Sequence, residues 1–208
     1  MTRVDSMSLF ICGASKINYA GQDYNTVFIG NQCWLKENLN VGTRIESYLG
    51  MSNNSIIEKY CYDNNPANCE TYGGLYLWEE AMQYVNTEGT KGICPTGWHI
   101  PTFAEFQTLV DSVGNHANAL KKIGQGTGEG QGTNSSGFSI LLAGGRLYNS
   151  SGFVGLGQST NLYSSKNGSC GYSCVYDFRI VAESNTIYLQ QGTMPSWGLS
   201  VRCIRNVN

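Results

Sequence analysis

The run INYAGQDYNTVFIGNQCWLKENL alternates polar and apolar positions around Tyr24, Val27, Ile29 and Trp34, with breaks at Gly21 and Gly30. A period of two between glycine breaks marks half-buried strands, so this run predicts a β-hairpin or two short strands. Residues 43–70 are polar and Asn-rich, with DNNPANC as a turn cluster, and read as a surface excursion closed by Cys61 and Cys69. After Gly74 the period changes. Leu75, Trp78, Ala81, Met82 and Val85 recur at helical spacing and predict a helix of about three turns with those residues as its core face. A second helix of similar length is predicted from Thr102, because Thr102 and Glu105 have the spacing of a capping box. Phe103, Phe106, Leu109, Val110 and Val113 mark its buried face, and Gly114 is placed to end it.

Residues 124–137, GQGTGEGQGTNSSG, lack the Lys-Ser/Thr ending or strand–turn–helix frame of a phosphate cradle and read as a flexible loop. Beyond them the pattern is β to the end. GFSILLAGGRLYNSSGFVGLGQSTNLYSS, CVYDFRIVAESNTIYLQQG and GLSVRCIR each carry short strand-like runs. Strands, two helices, then strands is an α+β order, with the N- and C-terminal strands free to pair. The closing SWGLSVRCIRNVN, with Leu199 and Val201, reads as a strand locked into the core, although chain ends are usually frayed.

The length of 208 residues allows one large domain and a sizeable core. The expected division is a short arm over 1–11 and a single domain over 12–208. Charged residues make up 13% of the chain and the net charge is -2, so there is no basic stripe to hold nucleic acid. Lys121 and Lys122, the one adjacent basic pair, are expected on a solvated helix end. Glycine (26) and tyrosine (13) are abundant. Many glycines imply a loop-rich β protein. Tyr, Ser, Gly and Asn together are also the composition of adaptable binding surfaces, in which Tyr supplies area at low entropic cost.

Eight cysteines, an even count in a loop-rich chain, suggest disulfides and an oxidising compartment. Spacing alone does not choose the pairing. Zinc would need two close cysteine pairs, and only Cys170 and Cys174 are so placed. No apolar run is long enough to span a membrane. The opening MTRVDSMSLFICG carries too short an apolar stretch for a secretory leader, which stands against the disulfide reading. Catalytic signatures are missing: no Gly-x-Ser-x-Gly, no His-Glu-x-x-His, no calcium loop. Glu79 and Glu80 are adjacent on the first predicted helix and point apart. His99, in GWHIPT, reads as a buried structural histidine.

Five motifs occur in order: TVFIGNQCWLKENLNVGT, YGGLYLWEEAM, GICPTGWHIPTFAEF, GTNSSGFSILLAGGR and GLSVRCIR. Together they resemble the Fibrobacter succinogenes major paralogous domain family over roughly residues 12 to 205. That family is similar to C-type lectin-like folds and, more distantly, to the formylglycine-generating enzymes. The resemblance implies an α+β C-type lectin-like fold: two helices around small twisted antiparallel sheets, closed by pairing of the N- and C-terminal strands. It further implies a non-enzymatic binding protein with no cofactor and no metal. Some proteins of this fold are variable proteins of diversity-generating retroelements, in which codons upstream of the last strand are rewritten at adenines. The segment 163–197 would then be the ligand face, carried by Tyr163, Asn167, Tyr172, Tyr176, Phe178, Arg179, Asn185 and Tyr188. Gln190, Gln191 and Met194 lie outside the set that adenine changes in an asparagine codon can reach, and read as scaffold.

The implied partner is a protein or other macromolecular surface ligand, not nucleic acid, met outside the cell or on a cell or virion surface. The alternatives are an undiversified structural or adhesive module and, more remotely, an oxidase using Cys203, whose RC context is similar to that of the formylglycine-generating enzymes. The triplets of calcium-dependent sugar-binding lectins are absent. Beside this resemblance the expected disulfides are Cys94–Cys203, Cys12–Cys33, Cys61–Cys69 and Cys170–Cys174. The first would close a very long loop, worth about 4–5 kcal/mol in the chain-entropy picture.

Overall fold

The computed structural model describes residues 9–148, 152–170 and 173–206. The first alternating run forms three antiparallel strands: β1 (Lys16–Tyr19), β2 (Gln22–Ile29) and β3 (Gln32–Leu35). Two-residue turns join them. Ala20 and Gly21 both have positive φ, the type I′ pattern, whereas Gly30 alone does so in the second turn, the type II′ pattern. Both turn types match the right-handed twist of the flanking strands, so these tight turns also fix the register.

Two parallel two-residue strands follow in the excursion, β4 (Thr43–Arg44) and β5 (Glu58–Lys59), then helix α1 (Pro66–Tyr72). The next two helices are α2 (Trp78–Ala81) and α3 (Phe103–Ser112). The last is the single turn α4 (Ala117–Leu120). A second sheet comprises β6 (Ala143–Arg146), β7 (Phe153–Leu156), β8 (Ser159–Asn167), β9 (Val175–Val181) and β10 (Tyr188–Thr193), in the order β10-β9-β8-β6-β7. Only its β6–β8 contact is parallel. The last strand, β11 (Ile204–Asn206), returns to pair antiparallel with β3, giving a first sheet of order β1-β2-β3-β11. This is a mixed α+β architecture with few helices and curled, mainly antiparallel sheets, consistent with a C-type lectin-like fold. The closing strand meets the third N-terminal strand rather than the first.

Alternation along the strands divides the interior in two. Cys33, Leu35, Tyr163, Val201 and Cys203 point into one core with Tyr76, Trp78 and Trp98. Their neighbours Trp34, Leu162 and Ile204 point into the other with Phe106, Phe138 and Phe178. Phe106 lies between Trp34 and Phe178, with centroids 5.5 and 5.1 Å away. Burying each such large side chain contributes about 1.5–3 kcal/mol. Four disulfides, Cys12–Cys33, Cys61–Cys69, Cys94–Cys203 and Cys170–Cys174, match the expected pairs. They suit an oxidising or extracellular environment. Among the described residues no helix is long and apolar enough to cross a membrane.

Three expectations need correction. The predicted helix after Gly74 shrinks to the four residues of α2. Leu75 and Tyr76 are instead extended, bridging Tyr60 and Leu199, and the positive φ of Gln83 and Tyr84 stops the helix. Val85 is accordingly exposed. Tertiary pairing has overridden a periodicity that both conformations could satisfy. Second, Lys121 is fully buried, not solvated. Its Nζ donates to the carbonyls of Gly130 (2.6 Å) and Ser184 (2.7 Å), and burial pushes its pKa down to about 8. Third, those bonds pin the glycine-rich stretch 124–137, whose Gly126 and Gly130 sit where a Cβ would strike the Ala182 carbonyl. Glycine serves close backbone packing there rather than looseness. The second predicted helix, by contrast, forms as α3 with the complete Thr102–Glu105 capping box.

Candidate functional site

Strands β8, β9 and β10 present two different faces, because successive side chains point to opposite sides. Leu162, Phe178, Ile180 and Leu189 face the second core. On the other side Asn161, Arg179 and Tyr188 stand in one cross-strand row, and Asp177 and Gln190 in the next. The segment after β10 curls over this face. It places Thr193, Met194 and Trp197 around a groove of about 560 Å³ that also reaches Gly144, Val154 and Ser159.

Beneath three of the lining residues is a buried acid. Asp177 is 1% exposed, and neither of the ion pairs formed among the described residues includes it. Its Oδ1 accepts from Thr193 Oγ1 at 2.6 Å, and its Oδ2 from Gln190 Nε2 at 3.2 Å and from the Asn161 side-chain amide. Burial pushes the carboxyl pKa up. The three hydrogen bonds and the nearby Arg179 charge pull it back without restoring it. The network fixes Asn161 and Gln190 in place, so the groove is lined by oriented amides. Arg179 and Met194, the latter 44% exposed, line the groove, and Tyr188, 42% exposed, stands next to Arg179 in the adjoining strand. Such a surface offers a guanidinium, amides and apolar contact area, and can recognise a ligand by shape and hydrogen bonding.

The predicted site residues are dispersed by this geometry. Arg179 lines the groove, and Tyr188 stands beside it in the same cross-strand row. Tyr163 and Phe178 are fully buried and cannot touch a ligand: Tyr163 donates its hydroxyl to the Trp197 carbonyl at 2.6 Å, and Phe178 stacks on Phe106. Asn185 is a structural connector whose side chain accepts from the Asn118 N–H at 2.9 Å and pairs with His116 Nδ1. Tyr176 lies at the far end of β9, against the Phe103 ring at 4.8 Å and beneath Lys166. Asn167 is exposed at the end of β8. Tyr172 lies outside the described residues. Gln190, Gln191 and Met194, expected as scaffold, line the groove instead. Asn161, Asp177, Thr193 and Trp197 were missed altogether. The signal was available in DFRI, where Asp177 and Arg179 alternate with Phe178 and Ile180 and so announce a polar outer face.

Elsewhere, His99 is half-buried and its Nε2 meets Glu105 Oε1 at 2.8 Å, fastening the start of α3. Glu80 is buried and accepts from Tyr84 and the Glu58 N–H, while Glu79 is exposed, so the two carboxyls do point apart. No cluster of three or more potential metal ligands occurs among the described residues.

No curated protein and no solved structure matches the chain. The Fibrobacter succinogenes major domain, however, matches residues 27–205, from the middle of β2 through β11. That span holds the second core, all of the first core's buried residues but Tyr24, and the groove, and on it the chain belongs to the Fibrobacter succinogenes major domain family.

Proposed function

We propose that this protein is a non-enzymatic binding module that offers the outer face of β8–β10 to a macromolecular ligand at a cell or virion surface. Family membership suggests a non-enzymatic module. The observation that carries the finer reading is the row Asn161–Arg179–Tyr188, solvent-facing on a sheet whose opposite side is packed core. A rigid platform with a polar floor and an aromatic edge suits recognition with little reorganisation cost. The oxidase alternative is disfavoured because Cys203 is bonded to Cys94 and both are fully buried. Retroelement diversification would act on this same face, and a reverse transcriptase gene beside an adenine-differing copy of the 3′ coding segment would support it.

The test is an array of extracellular proteins and glycans probed with the wild type, with Arg179→Ala/Tyr188→Ser, and with Gln107→Ala on the exposed side of α3, across the second core. Binding that is lost in the double variant and kept in Gln107→Ala supports the reading. Binding that survives the double variant overturns it, as does the absence of any specific hit.

A further inference from the structure

A second polar cluster, which shares no residue with the groove's lining, forms where the Asn-rich excursion meets the segment after β3. Lys59 Nζ donates to Asn40 Oδ1 at 2.6 Å and to the Asn40 carbonyl at 3.0 Å. The Asn40 side-chain amide in turn donates to Glu70 Oε1 at 3.4 Å. An amine, a carboxamide and a carboxylate therefore stand in line, each from a different element. Asn40 follows β3, Lys59 ends β5, and Glu70 lies on α1. We propose that Lys59 and Asn40 are the two halves of an intramolecular isopeptide cross-link, closed with Glu70 as the proton carrier.

Each partner is held in position. The Asn40 N–H donates to the Tyr24 hydroxyl at 3.0 Å, Lys59 is fixed by the β4–β5 ladder, and Glu70 adjoins the Cys61–Cys69 disulfide. Holding reacting groups in contact removes most of the entropic barrier to amide exchange. Attack needs the neutral amine. Burial lowers the Lys59 pKa, although the Glu70 charge works against this.

The step balances without any further reagent. The neutral Nζ attacks the Asn40 side-chain carbonyl carbon and forms a C–N bond. The proton shed by Nζ passes to the Glu70 carboxylate and from there to Asn40 Nδ2. The C–Nδ2 bond then breaks and ammonia leaves. Nothing is oxidised or reduced, and the product is one amide joining the two side chains.

A second lysine provides an internal comparison. Lys121 Nζ also touches an asparagine, Asn118 Oδ1 at 3.2 Å, but its other hydrogen-bond partners are the Gly130 and Ser184 carbonyls. With no carboxylate among these partners to carry the proton, that pair stays unlinked. The Lys59–Asn40 bond would close a ring next to the Cys61–Cys69 ring, so that the excursion is anchored covalently at two adjacent points.

Intact-mass spectrometry of the reduced chain tests this. The wild type should weigh less than its sequence mass by one ammonia, and proteolysis should release a branched peptide joining Lys59 to Asn40. Lys59→Arg and Asn40→Ala should restore the full mass for their sequences, and Glu70→Ala should leave the wild-type bond largely unformed. A wild-type chain at full sequence mass overturns the proposal. So does an ammonia loss that persists in Lys59→Arg, which would mark a succinimide instead. Should a variant fail to fold, the branched peptide in the wild type alone decides, and its absence refutes the cross-link.

Discussion

Arg202 and Asn38, 164 positions apart, meet at one acceptor: Nε and Nη2 of Arg202 both donate to Asn38 Oδ1, at 3.1 and 2.9 Å. Nη1 donates to the Phe138 carbonyl at 2.7 Å, and the guanidinium lies 4.4 Å from the Phe138 ring centroid. The arginine is 1% exposed, and its hydrogen-bond partners are neutral. It ties the last segment to the loop after β3 and to the approach to β6.

Asn38→Ala should therefore cost about 2–3 kcal/mol, because it strands donors of a buried charge rather than merely deleting one bond. Urea unfolding followed by tryptophan fluorescence would measure it. A loss below about 0.5 kcal/mol would mean that the guanidinium is satisfied without Asn38.

The two faces of β9 should respond oppositely to truncation. Phe178→Ala opens a cavity between Phe106 and the sheet and should cost about 3–5 kcal/mol. Arg179→Ala, one residue on, should stay within about 0.5 kcal/mol. Thermal melts of the two variants give the comparison. Equal losses would show that the groove residues are also structural.

Glu105 makes the start of α3 sensitive to acid. Burial pushes its carboxyl up, but hydrogen bonds from His99 and Thr102, with the His99 charge, outweigh this and hold its pKa below the ordinary 4.5. A carboxyl with a depressed folded pKa contributes stability above its unfolded pKa, and that contribution fades as pH falls through the folded value. Glu105→Gln keeps a capping side chain but removes the charge. The gap in urea midpoint between wild type and Glu105→Gln should be widest at neutral pH and close below 4.5. A gap constant with pH would assign the effect to packing.

Much of the architecture was legible because local chemistry and tertiary structure agreed. Gly21 and Gly30 marked turns that the strands need, and Thr102 with Glu105 marked the start of α3. Agreement failed where an extended strand partner was invisible from the sequence. Leu75 and Tyr76 have helical spacing with Trp78, yet Tyr60 and Leu199 pull them into bridges. Lys121 was misplaced for a related reason, since the carbonyls of Gly130 and Ser184 that absorb its charge come from distant loops. The site was half legible. Choosing residues within 163–197 by codon reach included Tyr163 and Phe178, which the alternation sends inward, set aside Gln190, which it sends outward, and stopped short of Asn161.

That alternation sets a grammar for change. Along β9 the freedom to vary falls on outer positions such as Arg179, while Phe178 and Ile180 are held by the second core and Asp177 by its three hydrogen bonds. Any process that rewrites this stretch, whether gradual drift or targeted mutagenesis, must keep a rhythm of two or lose the fold. Rewriting Phe178 and Ile180 along with Arg179 would spoil the platform before it could hold anything new.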